Sequence, residues 1–236
     1  MTVSRGVRAL ELVLFIGSLL VAGLVALAIV WSGRDPYEDL ARANGVEQVI
    51  LIAHIPGGGT YTTDRNGLVA MHERWSTYVT GGVADPPRFG PVPLFTDDEY
   101  AHMADVRRVF DVAKLLLAAA LFVIVVRLQR ARLRSPREMW GLVRDGSLVA
   151  AGVVAIIGLA AVVAFEPLFL IFHYVFFPQG NFLFDPATSN LVRVYPDWYW
   201  EGITLRVGLS FIGVALALAA LSMLRLAPRS AINSPR

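Results

Sequence analysis

The 236-residue chain contains no cysteine, and this absence excludes several kinds of chemistry. Without a thiol the chain can form no disulfide, no thiolate metal site and no thiol nucleophile. The sequence also lacks internal repeats and low-complexity tracts, and it has little net charge, +2 at pH 7. Because the net charge is so small, the positions of the charged residues are more informative than their sum.

Apolar residues, in contrast, are abundant and occur in long runs. Hydrophobic residues make up 56% of the chain, and its mean hydropathy is +0.56, above the usual range of soluble domains. Three apolar runs are long enough to span a bilayer, and a fourth is nearly so. The sequence therefore predicts an all-α membrane bundle of four transmembrane helices, with spans at 9–31, about 109–127, 147–172 and 203–225.

Arginine placement predicts how these spans are oriented. Residues 127–145 carry six arginines and two acids, which marks the connecting segment 128–146 as a cytoplasmic loop. With four spans, both termini are then cytoplasmic, including the tail 226–236. The first span exceeds the core of a signal peptide, and no small-x-small site precedes Ser32, so we expect a retained anchor. Segments 32–96 and 173–202 are predicted to be extracytoplasmic.

The first of these segments has the composition of a small α+β cap. Turn signals such as PGGG at 56–59 separate runs with strand character at 47–55 and 67–71. The segment ends in a T-x-x-E capping box formed by Thr96 and Glu99, which predicts that a helix over 97–127 begins at about Asp97. The polar first turns of that helix should stand above the hydrocarbon.

Two histidines stand out on the predicted outer side. His173 is the one ionisable residue in LFLIFHYVFF, and His102 has Asp105 three residues later, on the same helical face. Each has an ordinary explanation. His173 would be an interfacial histidine with a hydrogen-bonding neighbour, and His102 would lie on a solvated helical face. Because spans two and three are antiparallel neighbours, however, their outer ends can bring the two imidazoles together. They could act as base and acid, or with Asp105 hold a metal.

The sequence favours the option without a metal. Neither His102 nor His173 has a second ligand at a metal-binding spacing such as H-x-x-x-H. We therefore predict no metal and no cofactor. His54 and His72 are treated as background residues to which no role is assigned. The PGGGT stretch at 56–60 lacks the following lysine and helix of a phosphate-binding loop, so a turn explains it.

Aromatic residues are concentrated near the second outer segment. Twelve of the 25 Phe, Tyr and Trp residues lie between Phe165 and Trp200. An interfacial belt would explain the Trp and Tyr residues. It explains the phenylalanines less well, because phenylalanine has no polar tip to place among headgroups. A pocket lined for acyl chains is the functional alternative.

Two stretches resemble a known family of bacterial membrane proteins. They are FTDDEYAHMADVRRVF at 95–110 and FHYVFFPQGNFLFDPATSNLVRVYPDWYW at 172–200. Together with the four-span layout, they are similar to the lipoprotein intramolecular transacylase family, Lit. Two positions depart from the family pattern, which often has Trp in place of Phe182 and an acid in place of Ser189.

The resemblance implies a substrate, a reaction and a location. The substrate would be a diacylglyceryl lipoprotein with a free N-terminal cysteine amine. The protein would also contact membrane lipids, and it would not bind nucleic acid. One acyl chain would move from the sn-2 glyceryl oxygen to that amine, at the outer face of a bacterial plasma membrane. The family's two catalytic histidines map onto His102 and His173.

The chemistry of this transfer assigns expected roles to further residues. Amine attack on the sn-2 carbonyl closes an eight-membered ring, so no acyl-enzyme is needed, in agreement with a chain that has no cysteine and no nucleophile-elbow serine. We expect Asp105 to orient His102, Tyr174 or Tyr195 to donate to the oxyanion, and Asp185 to support the site. The acyl and glyceryl pocket would be lined by Phe172, Phe176, Phe177, Phe182, Phe184 and Trp198.

Two other functions are compatible with the same residues. One is a different lipid-acting acyltransferase or a hydrolase that uses the same histidines. The other is a non-enzymatic polytopic scaffold whose cap binds a partner. The sequence leaves the oligomeric state open.

Overall fold

The structure is a computed structural model that describes residues 5–90 and 92–227. Helices dominate it, and one small two-stranded sheet is present in this part of the chain. In chain order the elements are α1 Arg5–Trp31, α2 Arg34–Ala43, β1 Gln48–Ile52, β2 Thr60–Asp64, α3 Arg65–Val79, α4 Asp97–Arg134, α5 Pro136–Val163, α6 Phe165–Phe176, α7 Asn190–Val194 and α8 Asp197–Leu226.

Four of the described helices, α1, α4, α5 and α8, are long and apolar enough to cross a membrane. With the small sheet, they confirm the predicted fold class of four membrane helices and a small mixed α+β part. By its internal packing the chain divides into two units, Met1–Leu27 with Leu115–Leu159 and Gly208–Arg236, and Ala28–Lys114 with Ala160–Val207.

The first unit consists of the apolar parts of the long helices. Small residues of α5 are buried there, among them Ala150 and Ala151, and they pack with Phe211 of α8. Small residues let helix backbones approach closely, which explains why this part of α5 is packed inside the bundle. Near the polar end of the first unit, the buried carboxylate of Glu11 accepts two hydrogen bonds from Arg134, at 3.1 and 2.7 Å.

The arginine-rich segment is helical, not a loop as the sequence suggested. Helix α4 continues to Arg134, and α5 begins at Pro136, so Ser135 alone separates them. The Ser135 hydroxyl accepts a hydrogen bond from the Glu138 amide at 3.0 Å, as an N-cap does, and Pro136 occupies the first helical position. Arginine, leucine and glutamine favour helix, which explains why 128–134 extends α4.

The third predicted span, 147–172, is divided between two helices. Helix α5 ends at Val163, and α6 starts at Phe165 after the non-helical Ala164. Pro167 explains the break, because proline has no amide hydrogen and its ring clashes with the carbonyl four residues earlier, that of Val163. His173 therefore lies on a separate helix of 12 residues.

The sheet and helix α3 form the mixed part of the second unit. Strand β1 pairs antiparallel with β2, from Gln48 opposite Asp64 to Ile52 opposite Thr60. The predicted strand at 67–71 is wrong, because those residues belong to α3. The Asp64 side chain accepts a hydrogen bond from the Gly67 amide at 2.8 Å and so caps that helix.

The capping box that opens α4 is confirmed and also anchors a distant segment. The Glu99 amide donates to the Thr96 hydroxyl at 3.2 Å, and the Thr96 amide donates to a Glu99 carboxylate oxygen at 2.7 Å. The other Glu99 oxygen accepts from the Ser189 hydroxyl and the Leu191 amide, at 2.6 and 2.7 Å. Glu99 thereby fixes the start of α7 beside the start of α4.

Candidate active site

The structure places the two predicted histidines side by side within the second unit. His102 lies in the second turn of α4, and His173 lies near the end of α6. Their ring centroids are 6.3 Å apart, and the ring planes are nearly parallel, at 17°. A small polar group of a substrate can therefore contact both rings at once.

The hydrogen bond of His173 fixes its tautomer. Its Nδ1 lies 2.8 Å from the carbonyl oxygen of Phe169, one turn earlier on the same helix. Because a carbonyl oxygen only accepts hydrogen bonds, Nδ1 carries the hydrogen, and in the neutral ring Nε2 carries the lone pair. Burial lowers the pKa of His173, while the bond to Phe169 opposes this change. A neutral ring with a basic Nε2 is thus favoured near neutral pH.

His102 is more deeply enclosed than His173. Its side chain is 7% exposed, and its Nδ1 is buried without a hydrogen-bond partner among the described residues. Asn181 lies beside the ring. A buried ring nitrogen without a partner is unusual in proteins and is available to a bound molecule.

Phenylalanine rings surround both histidines. Phe177 is almost fully buried, with its ring centroid 4.8 Å from that of His102 and 5.5 Å from that of His173. Phe184 contacts His102 at 5.5 Å, and Phe182 contacts His173 at 5.1 Å. Phe172 lies 5.5 Å from His173 and 4.6 Å from Phe176. Five of the predicted pocket residues therefore do lie at or next to the histidine pair.

The Asp105 carboxylate does not bond to His102, the partner that the sequence suggested. Its carboxylate oxygen Oδ2 accepts from the amide groups of Gln179 and Asn181, at 2.7 and 2.6 Å, and Oδ1 is paired with Arg108. It thus holds the loop after α6, whose Asn181 faces His102, rather than the imidazole itself. Sequence reasoning missed Gln179 and Asn181, because nothing in the spacing of two loop amides marks a carboxylate partner some 75 positions away.

The four remaining predicted residues are only partly near the site. The Tyr174 ring contacts Phe182 at 5.2 Å and is half exposed. Asp185 is exposed, and its side chain caps a local turn by accepting from the Ala187 amide. Tyr195 pairs with His72 through its hydroxyl, at 3.3 Å from Nδ1. The Trp198 ring packs against Tyr37, 5.7 Å away, and not against the histidine pair.

His72 is the centre of a separate buried cluster. Its Nε2 lies 3.1 Å from the carbonyl oxygens of both Ser32 and Gly33, and its ring stacks on Tyr37 at 4.1 Å. Burial lowers the pKa of His72 to about 4, so the ring is neutral near pH 7. Every polar atom of this ring has a protein partner, which fits a structural residue that links α3 to the residues following α1.

Asn190 is a buried polar residue that sequence reasoning also missed. Its side-chain amide donates to the carbonyl oxygens of Ile52 and Leu94 and accepts from the Ile52 amide, so that it pairs with β1 as a neighbouring strand would. No local sequence signal distinguishes this asparagine from one in a turn. With Glu99, it holds the start of α7 and hence one end of the loop that carries Phe182 and Phe184.

The donor set at the site favours proton transfer over metal binding. Among the described residues, no group of three His, Asp or Glu side chains could hold a metal ion. What the site does offer is a basic ring nitrogen, a second buried ring nitrogen and an apolar wall. Such an arrangement can transfer a proton during a reaction at an ester or amide carbonyl, and it can exclude water from that reaction.

Comparison with known proteins relates the chain to one family. The family model described as lipoprotein intramolecular transacylase Lit matches residues 65–200, which include both histidines and the aromatic loop. No curated protein matches the chain.

Among solved structures, the chain resembles the membrane-integral lipoprotein intramolecular transacylase Lit from Bacillus cereus. The two are 13% identical with a TM-score of 0.64, over 94% of this chain and 96% of the other. Two variants of that protein, with one histidine replaced by arginine or by alanine, match at 14% identity and a TM-score of 0.61, over 93% of this chain and 92% and 93% of theirs. At this identity the likeness concerns the fold. The family match covers more than half of the sequence, and the chain therefore belongs to the lipoprotein intramolecular transacylase (Lit) family.

Proposed function

We propose that the protein moves the sn-2 acyl chain of a diacylglyceryl lipoprotein to the amine of its own N-terminal cysteine. The product is an N-acyl lipoprotein with a lyso-glyceryl group. The observation that carries this proposal is the paired histidines surrounded by phenylalanine rings, with the lone pair of His173 on Nε2 and a second ring nitrogen buried in His102. Membership of the family supplies the class of substrate.

Positioning of the two reacting groups accounts for much of the rate acceleration in the proposed reaction. The amine and the ester carbonyl belong to one molecule, and their reaction closes an eight-membered ring. The pocket needs to hold these two groups at contact distance, which can lower the barrier by several kcal/mol without a covalent intermediate on the protein. The Phe177, Phe172 and Phe176 rings are placed to hold acyl chains beside the histidines.

His173 is the proposed base. An α-amine has a pKa near 8, so part of it is neutral near pH 7 and can attack the carbonyl carbon. The nitrogen then bears a positive charge and a surplus proton, which His173 accepts at Nε2. When the carbon–oxygen bond of the ester breaks, the same proton returns to the departing glyceryl oxygen. Protons balance, and His173 ends neutral.

His102 is the proposed oxyanion partner. Attack places a negative charge on the former carbonyl oxygen, and a preorganised donor in a dry site stabilises that charge strongly. Nδ1 of His102 is buried and without a described partner, so in its protonated tautomer it can donate to that oxygen. Asp105 supports this geometry through Asn181.

The protein is proposed to work at the outer face of a bacterial plasma membrane. The arginines of α4 and α5 near the Ser135 junction favour a cytoplasmic position of that junction by the positive-inside rule. His102 and His173 would then lie at the opposite interface, where the glyceryl group of a lipoprotein resides.

Mass spectrometry of a co-expressed lipoprotein tests the proposal. In a host without N-acylation of its own, the wild-type protein should convert the free-amine N-terminal peptide to an N-acyl lyso form of unchanged total mass. His173→Asn and His102→Asn should each reduce the converted fraction by at least about 100-fold, as loss of a base or an oxyanion donor does.

His54→Asn is the matched control, because it removes a histidine that lies outside the site and should leave conversion unchanged. Variant levels in the membrane should match the wild type. A free fatty acid with a deacylated peptide would indicate a hydrolase instead. Full conversion by both site variants would contradict the assigned roles of the histidines.

A further inference from the structure

The outward-facing edge of strand β1 is occupied in large part by other parts of the second unit. The amide and carbonyl of Ile52 both pair with the Asn190 side chain, at 2.8 Å each. The Ile50 carbonyl accepts from Arg193 at 3.0 Å, and the His54 amide donates to the Pro93 carbonyl at 2.9 Å. Ile50, Ile52 and, just beyond the strand, His54 thus each have a partner away from β2.

The edge of strand β2 is open by comparison. The bonds from the Ala53 amide to Gly59 and from the Arg65 amide to Glu47 set the alternation of the ladder, so the backbone groups of Thr60 and Thr62 point away from β1. Within residues 5–90 and 92–227, no group pairs with them. Both threonines are exposed, and the strand carries no lysine, proline or bulge of the kind that usually blocks such edges.

A cavity of about 180 Å³ lies beside this open edge. Its walls include Tyr61 and Thr63, whose side chains lie on the same face of β2, and the Ala70 and Arg74 side of α3. A third strand added to β2 would direct its side chains opposite Tyr61 and Thr63 to this same face. The cavity therefore lies where the inward side chains of an added strand would go.

The charge at this cavity favours an acidic or polar segment. The guanidinium of Arg74 lies over the Phe89 ring at 4.8 Å. In the described part of the chain, no carboxylate lies within ion-pair distance of Arg74 or of the neighbouring Arg88, although most other arginines of this unit do have one. An unpaired guanidinium beside an open strand edge is complementary to an extended peptide with an acidic side chain.

We propose that the open edge of β2 binds the lipoprotein substrate itself, by pairing with the extended segment that follows its acylated cysteine. The segment adds a third strand through the Thr60 and Thr62 backbone groups, and one acidic or polar side chain enters the cavity beside Arg74. This inference rests on the proposed function and specifies how the protein part of the substrate is recognised.

The cavity and the start of α4 flank one aromatic cluster. The Phe89 ring contacts the buried Trp75 ring at 5.8 Å, and Trp75 contacts Tyr100 of α4 at 5.4 Å. A bound peptide has to pass around this cluster, and an extended peptide covers roughly 3.4 Å per residue. Strand pairing therefore begins several residues beyond the acylated cysteine.

The test compares two synthetic substrates with the full-length protein in mixed micelles. Each is a diacylglyceryl-cysteinyl peptide with a free amine, one with two further residues and one with twelve Ser-, Gly- and Asp-containing residues. With wild type we expect kcat/KM to be about tenfold higher for the long substrate, the amount that one or two net hydrogen bonds supply. N-methylation of alternate backbone nitrogens in the long tail should abolish the gain in one register only.

Two variants connect this gain to the edge. Thr62→Pro removes an amide hydrogen that points away from β1, a position that proline tolerates on an edge strand. It should remove the advantage of the long tail while turnover of the short substrate persists, which also shows that the variant is folded. Arg74→Ala should lower kcat/KM only for tails that contain Asp. Arg65→Ala is its matched control, because Arg65 is paired with Glu47.

Each result decides between the alternatives. Equal kcat/KM for long and short substrates in wild type overturns the inference and leaves the proposed function intact. Failure to convert either substrate overturns the proposed function and the inference with it. If Thr62→Pro alters the oligomeric state but not the effect of tail length, the edge joins two copies of the chain, and the inference is wrong.

Discussion

At the scale of single residues, the chemistry depends on what each imidazole is bonded to. His173 donates from Nδ1 to its own helix, which leaves Nε2 as a base on a ring of fixed orientation. His102 has no such bond on Nδ1 and is enclosed by Phe177 and Phe184. The difference supports a division of labour, in which the oriented ring transfers the proton and the enclosed ring stabilises charge.

The pH dependence of turnover tests the role of His173. Turnover needs a neutral amine, whose pKa is near 8, and a neutral His173 as base. Log kcat should therefore fall with a slope of about one below pH 8, and more steeply below the pKa of His173. Because burial lowers the pKa of His173, this steeper fall should begin below pH 6.5, the ordinary histidine value. The measurement is the initial rate of N-acyl product formation between pH 4.5 and 9 in mixed micelles, at saturating substrate. A steeper fall that begins above pH 7 would exclude the proposed base.

Sequence reasoning at this scale found the ionisable residues but not their partners. His173 was identifiable because a titratable ring among apolar neighbours is conspicuous in a sequence, and His102 because Asp105 follows it at helical spacing. The bonds of Asp105 to Gln179 and Asn181, and of Glu99 to Ser189, depend on the path of a loop. No periodicity encodes that path, so these contacts could not be predicted.

At the scale of elements, the short helix α6 determines where His173 lies. It follows α5 after one non-helical residue, and it is apolar, with no side chain of its 12 residues fully buried. Eighteen ångströms or so of helix is too short to cross a bilayer. Because of the break before α6, this helix need not follow the direction of α5, and it carries His173 with it. Pro167 causes the break.

Replacement of Pro167 by alanine tests this account. Alanine restores the amide hydrogen and removes the clash with the Val163 carbonyl, so α5 should continue into α6 and turn His173 away from His102. We expect turnover to fall by about tenfold or more, since small misplacements of reacting groups cost this much. The measurement is the rate of N-acyl product formation by purified protein.

Pro136→Ala is the control, because proline at the first position of α5 breaks no helix and its replacement should leave turnover near the wild-type value. If Pro167→Ala is as active as wild type, the helix break is not needed to place His173.

Elements were predictable where a local signal fixed them. The capping box gave the start of α4, because Thr96 and Glu99 satisfy each other's amides without help from the rest of the chain. The strand expected at 67–71 was wrong because Asp64 caps a helix there, and helix packing against the sheet outweighs the apolar, strand-like character of the run. Local propensity decides such cases only when no cap competes.

At the scale of the whole molecule, length and apolar content were sufficient for the fold class. Four apolar helices and a small sheet follow from run length, turn signals and charge, and the chain matches a membrane-integral transacylase structure over 94% of its length at 13% identity. Apolar patterning is retained at an identity where individual residues are not, which explains why the fold could be predicted while the loop contacts could not.

The orientation of the chain in the membrane is open to a direct test. Since the sequence has no cysteine, a single introduced cysteine is the only thiol. Leu133→Cys, at an exposed position near the Ser135 junction, should react with an impermeant maleimide only after the cells are permeabilised. Glu47→Cys, at an exposed position before β1, should react in intact cells. Labelling of Leu133→Cys in intact cells would reverse the proposed topology.

Transfer of an acyl chain within a single substrate molecule is the central claim, and an isotope crossover experiment measures it most directly. Purified protein is given two diacylglyceryl lipopeptides of different peptide mass, only one of which carries a deuterated sn-2 acyl chain. The deuterated chain should appear on the amine of its own peptide alone, with no free fatty acid. Deuterated chain on the amine of the other peptide, or in released fatty acid, would contradict it.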